Sequence, residues 1–560
     1  METLFYTLPI LVISAVMVLQ AMGCSRRFFH LLQLDSYQLD GYAKSVVRSA
    51  KKDRDTLLLL CTGVWFAALF LPLLEDAAAG LGTAVLCVMA VVLWLKCNQL
   101  KKQQAEAKAK KEFVETARMQ RLLKTFRILV WVWAVIISIA AIAALLLLGV
   151  TMRPLAAGRL YALCLLILLL PLMLLPQTVA LVARIRQPLE NRINQGFVDD
   201  AKAILRRRPE LIRIGITGSY GKTSTKFILG AILKEKYNTL VPPSSYNTPM
   251  GITRMVREML TEEHEVMICE MGARRVGEIK ELCDIVHPQY GILTSIGPQH
   301  LETFLSIENV AGTKYELMQA LPKDGIGFFA ADDAYCEDLY KTHSGNKGLF
   351  GLRETGMYMG ASNITAGAFG SEFDLIAPDG STIHCTTGLL GKHNISNILG
   401  CACVAYALGL TLEEIARGIA KAEPVEHRLQ LINPGNGTLV IDDAFNSNPS
   451  GARAAMDVLS MFHGFRKICI TPGMVELGER QEAENYAFGK RMAEVCDIAI
   501  LIGEKQSAPI RKGLLECGFP ELFLFTAKNL DEATAILGHL VRPKDVILFE
   551  NDLPDNYNEQ

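Results

Sequence analysis

Apolar positions are unevenly spread along the chain. Five runs in its first third, Leu4–Met22, Thr56–Leu74, Ala77–Leu95, Ile128–Val150 and Leu160–Ala183, carry no charged side chain. Each comes near the roughly 20 residues a helix needs to cross a bilayer while hydrogen-bonding its own backbone. After Arg184 the pattern changes. Gln187–Arg208 is amphipathic and basic, and from Leu211 short apolar runs alternate with helical periodicity. Strands are predicted at Leu211–Thr217, Glu265–Glu270, Gln289–Ser295 and Gly325–Ala330. Helices are predicted between them at Lys222–Leu233, Thr248–Leu260, Gly277–Ile285 and Ile307–Ala320. Such alternation implies a parallel sheet covered by helices.

Gly348–Leu390 is Gly-rich with short alternating segments and reads as a small β-rich addition to this domain, followed by helices at Asn394–Leu410 and Leu412–Ala422. A second α/β unit is predicted from Thr438–Ile441, Lys467–Thr471, Ile498–Ile502, Leu522–Phe525 and Val546–Leu548. The turn-rich stretch Ile432–Gly437 reads as the hinge before it. The expected organisation is a five-helix membrane region (1–184), an amphipathic linker (185–210), a P-loop parallel-sheet central domain (211–432) and a smaller Rossmann-like α/β domain (433–560).

Charge orients the first part. Arg26, Arg27, Lys44, Arg48, Lys51, Lys52 and Arg54 follow the first run, and a Lys-rich stretch, 96–127, follows the third. Under the positive-inside rule both loops are cytoplasmic, and so is everything after Arg184. Ala21-Met22-Gly23-Cys24 faintly resembles a lipoprotein cleavage site. The lack of a basic segment before the first run favours a retained span. With no charge in mid-membrane the helices read as an anchor rather than an ion path. Ala105–Lys124 reads as a solvated helix, at most lying on anionic lipid. The chain of 560 residues has a net charge of −1, which offers no footprint for nucleic acid. Its 14 cysteines include no CxxC pair, arguing against a zinc or redox motif.

The candidate chemistry begins at Thr217-Gly218-Ser219-Tyr220-Gly221-Lys222-Thr223-Ser224, after a predicted strand and opening a predicted helix. Glycines let backbone N–H groups approach phosphate oxygens, and the helix N-terminus adds positive potential. Lys222 is placed to reach β- and γ-phosphates and Thr223 to ligate Mg²⁺. The string is shorter than the full GxxxxGK[ST] motif, because position 216 is Ile.

This loop resembles the ATP loop of the Mur ligase superfamily, and further similar segments follow in order. They include Asn247-Thr248-Pro249-Met250-Gly251, Glu270-Met271-Gly272, Ile296–Glu302, Thr313-Lys314-Tyr315-Glu316 and Gly391-Lys392-His393-Asn394-x-x-Asn397. Arg428, Asp442–Pro449 and Met474-Val475-Glu476-Leu477-Gly478 complete the series, the last two resembling the branch that adds D-alanyl-D-alanine. The resemblance runs from about Leu211 to Phe549.

It implies an ATP-dependent ligase that activates a carboxylate as an acyl phosphate and passes it to an amine. Lys222, Lys314, His300 and Arg428 would be catalytic. Thr223, Glu270, His300 and Lys314 would surround one or two Mg²⁺ ions, Lys314 as a carbamate. Asn394 and Asn397 would face adenine, and Asp443, with Asp442 as its rival, the ribose. Asn247, Asn446 and Asn448 would contact substrate.

Departures from the pattern leave the substrates open. The family's UDP-sugar-binding N-terminal domain is replaced by apolar helices. Pro472-Gly473 stands for Gly-Asp, Asn485 for a His, Phe445 for a Tyr, and Phe549-Glu550-Asn551-Asp552 for a Lys-Gly-Ser-type stretch. The acceptor is therefore expected to be a small-molecule or lipid-linked cell-wall precursor, and the amine an amino acid or dipeptide. Alternatives are an amidating subunit, a polyglutamate-type synthase, a transport ATPase or a degenerate ligase acting as a membrane scaffold.

Overall fold

The computed structural model describes residues 2–70, most of 91–102, 112–148, 154–243, 245–445 and 447–552. It divides into two compact units, Met1–Ile193 and Asn194–Leu553.

The first unit is helical: Glu2–Leu34, Leu39–Ser49, Lys51–Phe70, Ala117–Leu148, Pro154–Met173 and Leu175–Arg206, which runs past the unit's end. Its interior is aromatic and aliphatic, with Phe29 and Phe126 edge-to-face at 5.4 Å. Ser14 and Ser138 hydroxyls hydrogen-bond across it at 2.7 Å. Of the five expected spans, the first and fourth correspond to helices long and apolar enough to cross a membrane, Ile10–Leu34 and Ala117–Ala143. The second is helical as far as Phe70, and the third falls largely outside the described residues. The fifth is broken: Leu166–Met173 and Leu175–Arg206 meet at 77°. Pro171, inside the first of these helices, denies a backbone N–H to the ladder. The expected linker is helical to Arg206. Of Ala105–Lys124, read as a helix, 105–111 lie outside the described residues, 112–116 have no regular structure, and Ala117–Lys124 are helical.

The second unit carries two six-stranded sheets. Its first consists of β1 (Ile212–Thr217), β2 (Thr239–Leu240), β3 (Val266–Glu270), β4 (Tyr290–Leu293), β5 (Ile326–Ala330) and β6 (Asn346–Phe350), all parallel in the order β2-β3-β1-β4-β5-β6. The chain leaves β1 toward β3 and then continues on the other side with β4. The carboxyl end of β1 is therefore a topological switch point, where ligands of such sheets collect. The Gly-rich segment supplies an antiparallel three-stranded sheet, β7 (Gly360–Gly367), β8 (Gly370–Ile376) and β9 (Thr382–Thr387).

The second sheet contains β10 (Gln430–Ile432), β11 (Leu439–Asp443), β12 (Arg466–Thr471), β13 (Ile498–Ile502), β14 (Leu524–Ala527) and β15 (Asp545–Glu550), in the order β10-β11-β15-β12-β13-β14. β10 pairs antiparallel with β11. The stretch expected as an interdomain hinge is thus the loop of a hairpin, and the chain enters this sheet before Gln430. Insertion of β15 between β11 and β12 brings Asp443 and Glu550 side by side at the strand ends.

Candidate active site

Local geometry makes the phosphate loop. Gly218 has φ +154°, and a Cβ there would lie 2.0 Å from Thr294 Oγ1. Gly221 caps the helix Lys222–Leu233 with φ +83°, and a Cβ there would lie 2.6 Å from Asn397 Oδ1. Both positions therefore require glycine. The loop is fastened to the segment after β4. Ser219 N–H donates to Ser295 O at 2.9 Å, Tyr220 N–H donates to Ser295 Oγ at 2.9 Å, and Thr294 Oγ1 donates to Tyr220 O at 2.6 Å. Ser219 Oγ and Gly297 bond reciprocally at 3.1 and 2.9 Å. Thr217 Oγ1 donates to Met271 O at 3.0 Å, which fixes the strand end.

Lys222 folds over the loop and donates to Gly218 O at 2.6 Å and Ser219 O at 3.3 Å. Burial lowers its pKa to about 8, with the Arg428 charge in the same direction and Glu270 opposing. Thr223 Oγ1 and Asn247 Nδ2 both donate to Glu270 Oε1, at 3.2 and 3.1 Å. Asn247, expected at the substrate, has one amide donor engaged by Glu270. The other oxygen, Glu270 Oε2, is buried without a hydrogen bond and lies 3.6 Å from the wholly buried Lys226 Nζ. Lys226 escaped the sequence reading. Its signal was a cation one turn past Lys222 on an otherwise apolar helix.

Lys314 is also buried, and its pKa is held well below the ordinary value, first by burial and then by Lys222. His300 sits at φ +54°. Its Nδ1 bonds Glu476 Oε2 at 2.6 Å, and burial lowers its pKa although Glu476 pulls the other way. Among the described residues no three His, Cys, Asp or Glu side chains gather around one point.

A cleft opens beside the loop, between the ends of the two sheets. Tyr220, Asn394, Asn397, Arg428, Asp443 and Phe445 line it. Asn394 Nδ2 donates to Leu390 O at 2.9 Å, and Asn397 Nδ2 donates to Asn394 Oδ1 at 3.3 Å. Arg428 stacks over the exposed Phe445 ring at 4.3 Å. Asp443 lines the cleft, and burial raises its pKa to about 6 despite Arg428. Asp442 turns away and accepts from His427 Nδ1 at 2.7 Å. Ser224 and Asn448 also line the cleft. Asn448 caps the helix Pro449–Ser460, its Oδ1 accepting from Ser450 N–H at 3.1 Å and Gly451 N–H at 3.0 Å. Asn446 lies outside the described residues.

Behind the cleft, Glu550 is fully buried. It accepts from Ser447 Oγ and, at 3.0 Å, from Thr471 Oγ1. Burial raises its pKa to about 7. Asn485 is equally buried and bonds Met474 N–H and O at 2.8 and 2.9 Å, which makes it a loop brace.

A glycine loop at the switch point of a parallel sheet, with a lysine, a threonine and a strand-end glutamate, defines a P-loop nucleotide-binding protein. Residues 216–405 match the Mur ligase middle domain and residues 427–550 the Mur ligase, glutamate ligase domain. The UDP-N-acetylmuramoyl-tripeptide–D-alanyl-D-alanine ligase of Mycobacterium tuberculosis is 34% identical over 364 residues, covering 60% of this chain and 69% of the relative. The Escherichia coli protein of the same name is 30% identical over 333 residues, covering 58% of this chain and 73% of the relative. Among solved structures, MurF from Acinetobacter baumannii superposes with TM-score 0.59 at 26% identity, over 65% of this chain and 78% of that one. MurF ligase from Thermotoga maritima in complex with ADP gives 0.57 at 25% identity, over 64% and 80%. The chain belongs to the Mur ligase family, and it is an ATP-dependent peptide ligase of peptidoglycan precursor synthesis.

Proposed function

We propose that the chain is a membrane-anchored ligase that joins the carboxylate of a muramoyl-peptide precursor to D-alanyl-D-alanine or a similar amine, using ATP and Mg²⁺ on the cytoplasmic face. The observation that carries this reading is the phosphate loop bonded through Thr223 to the strand-end Glu270, beside a cleft walled by both sheets.

The donors fit Mg²⁺: the Thr223 hydroxyl and the Glu270 oxygen it touches, Oε1, leaving the other positions to phosphate and water. When bound, the ion neutralises phosphate charge. The loop's backbone N–H groups would bind the phosphates, and Lys222 would exchange Gly218 O for a phosphate oxygen. A substrate carboxylate oxygen attacks the γ-phosphorus, ADP leaves, and an acyl phosphate forms. The amine nitrogen then attacks the acyl carbon, phosphate leaves, and the amine gives up a proton. Arg428 would balance charge on the phosphoryl group during transfer. Asn394 and Asn397 would bound the adenine, and Asp443 rather than Asp442 the ribose, since Asp443 alone of the pair lines the cleft. Burial lowers the pKa of Lys314, which favours the neutral amine that carbamylation requires. His300 would serve a second ion through Nε2 while Nδ1 stays bonded to Glu476.

The N-terminal helices stand where the family carries its UDP-binding domain, which favours an acceptor held at the membrane, a lipid-linked precursor included. The test is ADP release by the detergent-solubilised chain with Mg²⁺-ATP and D-alanyl-D-alanine, offering UDP-muramoyl-tripeptide or its lipid-linked counterpart, with Lys222→Ala as control. Release with either acceptor, lost in the variant, supports the ligase. Release with the lipid-linked acceptor alone assigns the helices a part in recognition. ATP binding without release in both cases would move the reading to another acceptor–amine pair or to a scaffold.

A further inference from the structure

The fifth apolar run ends in a built bend. Pro171 and Pro176 give no N–H to the helix ladder, and Leu166–Met173 and Leu175–Arg206 meet at 77°. Thr178 Oγ1 shares its hydrogen between Leu174 O at 2.9 Å and Pro171 O at 3.3 Å. Tyr42 Oη donates to Pro176 O at 3.0 Å. About 21 Å further along the helix, the buried Glu190 accepts from Arg121 Nε and Nη2 at 2.7 and 2.6 Å.

Both ties stand among cations. Tyr42 lies in Leu39–Ser49, between Arg26-Arg27 and Lys51-Lys52 in the chain. Arg121 lies in the basic first turns of Ala117–Leu148, which beyond Arg127 carries only uncharged side chains. The two basic segments meet, with the Arg118 guanidinium 3.9 Å from the Tyr37 ring centroid. The helix is thus fastened at both ends of 176–190 to one cationic layer, and it runs along that layer instead of crossing the apolar bundle.

Over 174–192 the chain presents three faces. Leu175, Val179, Val182 and Glu190 are buried in the helical unit. Gln177, Arg184, Gln187 and Asn191 are exposed and polar. Leu174, Leu181, Ile185 and Leu189 recur seven and four residues apart, hence on one side, and are between 41% and 52% exposed. Packing on a bundle needs one apolar face. A second one, open and flanked by an arginine-bearing polar face, suits a helix lying in a bilayer interface. The same unit turns Ile128, Trp131, Val132 and Val135 outward just past Arg127, and on the membrane reading these face lipid.

We propose that 175–192 lies in the plane of the bilayer surface, with Leu181, Ile185 and Leu189 in the boundary between headgroups and acyl chains and Arg184 among the headgroups. The fifth run then crosses the membrane only as far as its bend. The inference rests on the membrane placement proposed above but not on the ligase reaction.

The test places the fluorescent amino acid Anap singly at Leu181, Ile185, Gln187 or Ile139 of the full chain, in vesicles of phosphatidylcholine and phosphatidylglycerol. Retained ATP binding marks folded protein. Nitroxides on the acyl chain near the headgroup should quench positions 181 and 185 at least about twofold more than nitroxides near the chain end, as expected for a depth of roughly 5–10 Å. Position 187 should be quenched by aqueous iodide, and position 139, in the middle of a span, by the deep nitroxides. Stronger quenching of 181 and 185 by the deep nitroxides would overturn the proposal in favour of a continuing span. Iodide quenching equal to that at 187 would overturn it in favour of a face open to water. Insensitivity to both would overturn it in favour of a protein partner, a second copy included. Position 139 separates the two failures. If lipid nitroxides do not quench it, the membrane placement fails together with the in-plane helix. If they do, and 181 and 185 miss the expected pattern, the in-plane helix fails alone.

Discussion

Removing Lys226 should expose how the buried Glu270 carboxylate is held inside the protein. Lys226 Nζ is fully buried and 3.6 Å from Glu270 Oε2, and Glu270 is 2% exposed. At that separation an effective dielectric of about 20 gives an attraction of roughly 4–5 kcal/mol, set against the desolvation of both ions. Lys226→Met keeps much of the side chain's volume and leaves Glu270 with its neutral donors, Thr223 and Asn247. Breaking one side of a buried pair costs about 3–5 kcal/mol. Neutralising both sides, as in Lys226→Met/Glu270→Gln, should recover about half of that loss or more. The assay is chemical denaturation of all four proteins in the double-mutant cycle, with and without Mg²⁺-ATP. Lys226→Met should also gain more stability from Mg²⁺-ATP than the parent does, because the ion supplies the charge the lysine provided. A Lys226→Met protein as stable as the parent, or a double variant no more stable than Lys226→Met, would refute the pairing argument.

Other outcomes follow from the same geometry. Gly218→Ala forces a Cβ to within 2.0 Å of Thr294 Oγ1, so ATP-analogue binding by fluorescence should fall by about 100-fold or more, far beyond the effect of Gly312→Ala, which meets nothing within 4 Å. Asp443→Asn should raise the KM for ATP by about tenfold and Asp442→Asn by less than about twofold, since Asp443 lines the cleft and Asp442 faces His427. Glu550 has its pKa raised from 4.5 to about 7, so the folded state binds its proton more tightly than the unfolded state does. Its stabilising contribution is complete below pH 4.5 and is lost as pH rises through about 7. Glu550→Gln should flatten the stability profile across that window and be the more stable protein at pH 8, by thermal melts at stepped pH.

The parts of this fold legible in the sequence are those where one local rule decides. Continuous apolar runs bounded by glycine marked β1, β3, β4 and β5 within a residue or two, and the glycines of the phosphate loop marked its conformation. Elements too short or too mixed to show a period escaped. β2 has two residues, β6 begins with exposed Asn346, and β10 has three residues whose pairing with β11 turned an expected hinge into a hairpin. The fifth apolar run was visible as composition, but its bend was not, because hydropathy does not register a break at Leu174. Contacts between distant segments were invisible for a plainer reason. His300 and Glu476 lie 176 residues apart, so spacing could suggest His300 as a ligand but could not show the partner that holds it.

The same reasoning changes what the departures near the C-terminus mean. Phe549-Glu550-Asn551-Asp552 stands for a Lys-Gly-Ser-type stretch, and an acidic side chain at a substrate cleft would argue for a different amine. Topology puts it elsewhere. β15 is inserted between β11 and β12, so the Glu550 side chain is closed in by the ends of both neighbours and held by Ser447 and Thr471. A fully buried carboxylate with both oxygens engaged does not touch an incoming amine. It fixes Ser447, and so sets the path of the chain leading to Asn448, which lines the cleft. Asn551 continues the brace, taking Ser447 N–H on Oδ1 at 3.1 Å and donating Nδ2 to Gly473 O at 2.5 Å. The departures at Gly473, Asn485, Glu550 and Asn551 are therefore members of one buried network, each compensating the others behind the cleft. Amine selectivity must then be sought in the side chains that line the cleft, and exchanging Glu550 alone for lysine would break the brace without restoring a family-like site.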